Sequence, residues 1–174
     1  MGRSALNTRA SEIDRGPKRS AAAIPPASVF VGSMLALLPI VTQTGWVPDF
    51  GFIMLIAWRL LRGDVWPAWS AAPLGLANDL ITGAPIGLSV SLWTAAMLAL
   101  DLTDRRTMWR DYWIEWVLAI VLIGASELAQ WRIAALMGAQ TELRSLGPRM
   151  LIAAFCFPLA AWAVARLDRW RLGR

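Results

Sequence analysis

Apolar residues come in six runs, separated by short polar or basic segments: roughly Ser28–Thr44, Val47–Leu61, Val65–Thr82, Ile86–Leu100, Tyr112–Trp131 and Met150–Ala165. Each run predicts one helix, and together they predict an all-α, six-helix membrane bundle. Several runs hold only 15 or 16 residues, about 22–24 Å of helix against a hydrocarbon core of about 30 Å. Short spans rely on flanking aromatics, snorkelling arginines or a thinned bilayer. Trp58–Arg59, Trp66, Trp109, Trp113 and Trp170 fall near one set of span boundaries, and Trp46 and Trp131 near the other. Trp93 falls mid-span and is assigned to packing.

Composition agrees with this pattern. Hydrophobic residues make up 57% and charged residues 17% of the 174, where a soluble domain is nearer half and a quarter. The net charge of +5 does not point to nucleic acid, because the basic residues lie in tails and loops, where they set membrane orientation. With the amino terminus inside, the cytoplasmic side receives five Lys and Arg from the tail. It also receives Arg59, Arg62, Arg105, Arg106, Arg110, Arg166, Arg169, Arg171 and Arg174. That is fourteen, against three outside (Arg132, Arg144 and Arg149). Both termini are therefore expected in the cytoplasm.

Three segments follow: a disordered basic tail over 1–26, a membrane domain over 27–166 and a short basic tail over 167–174. The first tail has no convincing cleavage site after an apolar run, so it is not read as a signal peptide. The one sizeable outer loop, 132–149, begins with Ile133, Leu136 and Met137. It fits an interfacial amphipathic helix facing a partner as well as it fits a simple connector.

Few groups carry chemistry. The chain has no histidine and one cysteine, Cys156, inside an apolar run. No phosphate loop, nucleophile elbow, metal-ligand cluster or cofactor motif occurs, so neither an enzyme nor a cofactor or metal is expected. Two acids stand inside spans. Asp79 follows Ala71 and Gly75 and precedes Gly83 at intervals of four, which places all of them on one helix face. Gly87, Ser91, Ala95 and Ala99 repeat the spacing in the next run. A "TGAP" turn joins the two runs, so they are antiparallel neighbours, and small residues let helix backbones approach closely in lipid. Both stripes are therefore expected to face the bundle interior.

A carboxylate in a span turns inward and accepts hydrogen bonds. Asn78, Thr82, Ser91 or the free N–H groups that begin the next helix are available to Asp79. It is either a structural clamp or a proton- or ligand-coupled site. Glu127 pairs with Arg132 at the rim, or shares an outer polar cavity with Asp79 and Gln130. Pro39, Pro73 and Pro158 are expected to kink their helices.

The order of motifs over residues 48–101 resembles the MreD family of bacterial rod-shape-determining membrane proteins, in its alphaproteobacterial form. The matching residues are Pro48 opening an apolar helix, Trp58 before a basic loop, Gly75-Leu76, Asp79-Leu80, Gly83 and Ile86-Gly87. "LDLTDRRTMWRDYW" adds to the likeness, and Ile86 stands where the family usually has leucine. The resemblance implies a non-enzymatic bacterial inner-membrane component of the elongation complex. Such a protein regulates cell shape and peptidoglycan synthesis by stabilising MreC and, through it, positioning MreB, RodA and penicillin-binding protein 2. The fold it implies is similar to the substrate-binding component of energy-coupling-factor transporters. A transporter-like binder of a small molecule or lipid in the bundle's outer half is the alternative.

Overall fold

The computed structural model describes residues 22–38, 48–63, 66–104, 112–138 and 146–172. The described residues are all-helical, with no strand. The helices are α1 (Ile24–Met34), α2 (Phe50–Leu61), α3 (Ala71–Thr82), α4 (Leu88–Asp104), α5 (Tyr112–Leu136) and α6 (Leu146–Leu172). Single 3-10 turns extend α1 over Leu35–Leu37 and precede α3 over Ala68–Ser70.

Two helices are long and apolar enough to cross a membrane, Trp113–Leu136 within α5 and all of α6. Only 28% and 17% of their apolar windows are buried. The core helix of a soluble protein would be mostly covered, so these exposed apolar faces favour lipid as the solvent. Val117, Val121, Phe155, Leu159 and Trp162 are among the exposed side chains.

α2 forms the centre. Its sequence is apolar on every side, which calls for burial on every side, and from Gly51 to Leu60 only Met54 is not fully buried. Around it pack α1, α6, α5 and α4. Gly32 lets α1 meet α2 backbone to backbone, because a Cβ there would stand 3.0 Å from the Phe50 carbonyl oxygen. α3 and α4 form the most extensive helix pair, and α3 also rests on α1.

Several boundaries differ from expectation for identifiable reasons. α1 already includes Ile24 to Pro26, since prolines near a helix start lose no helical hydrogen bond. The rest of the expected tail, residues 1–21, lies outside the described residues, as do Pro39, Trp46 and Trp109. α6 runs through 167–172, expected as a tail, because Asp168 turns inward to Arg62 and Arg171. Residues 132–136 continue α5 rather than forming a separate interfacial helix, and 139–145 lie outside the described residues. Pro73 sits in the first turn of α3, where its missing N–H disrupts nothing. Pro158 is inside α6, which continues past it.

The inward stripe expected on α4 is also corrected. Ser91 and Ala95 are exposed, and α4 instead buries Ser89, Trp93, Ala96, Met97 and Leu100. Trp93 sets this phase: it is 1% exposed and stacks on Phe52 with centroids 5.9 Å apart. A large indole gains far more from burial than a serine or alanine does, so the small residues are rotated outward. Trp58 is no interfacial anchor either. It is fully buried, and its indole N–H donates to Ser28 Oγ at 2.7 Å.

Candidate functional site

The polar side chains inside the bundle gather into two clusters, one at each end of α2. The first joins the start of α2 to the end of α3, the starts of α4 and α6, and the later half of α5. Asp49 is the N-cap of α2, and its Oδ1 accepts from the Phe52 N–H at 3.1 Å, an end donor that the helix leaves free. The indole N–H of Trp93 also donates to Asp49, and Asn78 Nδ2 donates to its Oδ2 at 3.2 Å. The same Asn78 amide donates to Ser89 Oγ at 3.0 Å.

Asp79, 1% exposed, completes this layer. Its Oδ2 accepts from the Gly87 N–H at 2.8 Å and its Oδ1 from the Ser89 N–H at 2.9 Å. Of the partners available to it in the sequence, the opening N–H groups of α4 are those it takes. The carboxylate ends α3 and caps α4 at once, where negative charge also complements the helix dipole. Two glycines shape the intervening turn. Gly83 closes α3 at φ +69° and Gly87 leads into α4 at φ +97°, and a Cβ at either would meet open space. Both are turn residues, so Gly87 does not serve the close helix contact expected of it.

Close approach belongs to Gly75, one turn earlier. A Cβ there would stand 2.8 Å from the carbonyl carbon and oxygen of Ser89 and from the Cα of Val90. Gly75 therefore brings the α4 backbone within reach of Asn78 and Asp79. Glu127, 2% exposed, pairs with Arg149 of α6 at 3.4 Å, not with Arg132. Arg132 instead lies over the Trp131 ring at 5.3 Å. The backbone N–H of Asp49 hydrogen-bonds to Glu127. The two acids singled out in the sequence thus belong to one continuous polar layer, linked through Ser89, Asn78 and Asp49. Gln130 is half-buried one turn further along α5, and the layer runs through Asp49 and Arg149 rather than through it.

The second cluster lies at the other end. Arg59, 6% exposed, pairs with Asp101 and, at 3.0 Å, with Asp104, both on α4. Arg62 pairs with Asp168 of α6 at 2.9 Å, and Arg171 reaches Asp168 at 3.3 Å while lying over Trp58. Among the described residues, no group of three acids or cysteines is placed to hold a metal.

Sequence reasoning missed Asp49, Ser89 and Arg149. Asp49 had a usable signal, since an aspartate directly before an apolar run is an N-cap pattern. Arg149 had none, because an arginine at a loop end looks the same whether it faces water or a buried glutamate. Comparison with family models, characterised proteins and solved structures finds no match for this chain.

Proposed function

We propose that the chain is a multi-pass inner-membrane scaffold of the MreD type. It would stabilise MreC and position the cell-wall synthases of the rod complex, and it has no catalytic role of its own. The observation that carries the scaffold reading is the use made of the interior polar groups: they join helix to helix. Both Asp79 oxygens are taken by α4 amides, Asp49 caps α2 and receives Asn78, and Arg59 holds two aspartates of α4. A transporter-like binder in the outer half would need Asp79 available to its ligand.

Six crossings with both termini in the cytoplasm are part of this reading, and the way the helix ends are sorted supports them. One cluster collects the starts of α2, α4 and α6 and the end of α3. The other collects the ends of α2, α4 and α6, and the Trp58–Ser28 bond brings the start of α1 toward it. Chain direction therefore alternates from helix to helix, as successive membrane crossings require. The excess of Lys and Arg assigns the second cluster to the cytoplasmic side.

The test is copurification in mild detergent with MreC, followed by mass spectrometry of the purified material for bound small molecules. Retention of MreC without a stoichiometric small molecule is the expected result. A saturable small-molecule ligand with no MreC retained would refute the scaffold reading.

A further inference from the structure

The arginines near the end of α6 are of two kinds. Arg171 turns inward to Asp168 and Trp58. Arg166 and Arg169 are exposed and have no ion pair among the described residues. With Trp162 and Trp170 they occupy positions i, i+4, i+7 and i+8, which is a single helix face. Both tryptophans are largely exposed, at 66% and 74%. Asp168, the nearest acid in sequence, is buried and occupied by Arg62 and Arg171. It leaves the positive charge of this face uncancelled.

Beside this face a cleft of about 320 Å³ opens between α2, α5 and α6. Its walls are mostly apolar, formed by Leu60, Leu61, Phe157, Ala161, Trp162 and Ala165. Glu115, on the α5 wall, is itself engaged by another group. Trp162 belongs to both features: it walls the cleft and starts the basic face. An unpaired guanidinium pair one turn beyond an apolar cleft, flanked by indoles, has the layout of a phospholipid standing in a leaflet.

We propose that α6 carries a binding site for one anionic phospholipid of the cytoplasmic leaflet. The phosphate oxygens accept from the guanidinium groups of Arg166 and Arg169, whose fork geometry suits them. One acyl chain lies in the cleft against Trp162. The site rests on α6 crossing the membrane with its C-terminal end inside, and does not depend on any particular protein partner.

The full chain, purified in a non-ionic detergent, is examined by native mass spectrometry with phosphatidylglycerol and phosphatidylcholine of identical acyl chains. Wild type should retain phosphatidylglycerol preferentially. Each arginine near a membrane surface contributes about fivefold, so Arg166→Gln/Arg169→Gln should reduce the preference by about 25-fold. Arg132→Gln, at the other membrane face, should leave it unchanged. Ala161→Phe, which fills the cleft, should lower retention of both lipids. Raising sodium chloride from 0.1 to 0.5 M should weaken the wild-type preference, a readout that needs no variant to fold.

An unchanged preference in the double variant would overturn the proposal, as would a wild-type preference indifferent to salt. Equal competition by inorganic phosphate would show a site that reads a free anion, and would overturn it too. Failure of the membrane reading is separable: the protein would then be recovered without detergent in the soluble fraction.

Discussion

Replacing Asp79 by asparagine changes one atom's chemistry at the junction of α3 and α4. The side chain keeps its shape and one acceptor oxygen, but the other position becomes an NH2 donor facing the N–H of Gly87 or Ser89. The site is 1% exposed, so water does not replace the lost acceptor. A buried donor left without a partner costs about 1–3 kcal/mol. For a chain of this length each kcal/mol moves the melting temperature by about 2–4 °C. Asp79→Asn should therefore melt about 5 °C below wild type, and Asp79→Ala, which abandons both amides, about 10 °C below. Intrinsic tryptophan fluorescence during heating in detergent follows this directly, since Trp93 lies in the same layer. A clamp needs no proton exchange, so under the function proposed above Asp79→Asn at normal protein level should still support rod shape in a complementation assay. The reasoning fails if Asp79→Asn melts within a degree of wild type. It also fails if the variant is stable and abundant yet loses shape, which would give the carboxylate an ionisable role.

Further substitutions probe three of the remaining contacts. Gly75→Ala should cost about 1–3 kcal/mol through overpacking against the α4 backbone, whereas Ser91→Leu on the exposed face should be tolerated; equal melting temperatures for the two variants would reject the assigned phase of α4. Arg59→Met should lower folded yield sharply, because removing one partner of a buried ion pair costs about 3–5 kcal/mol, and size-exclusion profiles in detergent would show the loss. Arg149→Ala strands Glu127 beside Asp49, and adding Glu127→Gln should recover much of the lost melting temperature; no recovery in the double variant would deny the pair.

How much of this was legible follows from the kind of signal each feature leaves. The six helices were, because long apolar runs bounded by charges leave few other structures open. Their phases were only partly so. The Ala71–Gly75–Asp79 spacing on α3 pointed to the correct buried side, since Gly75 and Asp79 were the residues least suited to contact with acyl chains. On α4 the same small-residue pattern misled, because Trp93 competes for the interior with a much larger apolar surface. Spacing by fours cannot weigh one face against another when both are apolar. Partner choice was least legible. Glu127 has Arg132 five residues away on its own helix, yet its ion pair is with Arg149 of α6, and only tertiary packing decides between them.

The two polar clusters also explain how a helix as short as α2 can be held in place. It has 12 residues, about 18 Å of rise, too little to cross a hydrocarbon core of about 30 Å unaided. Helices immersed in lipid gain little from apolar contact with one another, so position must come from close packing and polar bonds. α2 has both at each end: Asp49 with Asn78 and Trp93 at one, Arg59 with Asp101 and Asp104 at the other. A helix pinned at both ends and enclosed by its neighbours meets protein where an isolated one would meet lipid. Under the six crossings proposed above, thinning of the bilayer is then not needed to explain the length of α2. The same pinning transmits position: a partner that moved α6 would pull on α2 through Arg62–Asp168 and on α5 through Arg149–Glu127. The two polar clusters would shift together, which is the behaviour that the proposed scaffold role requires.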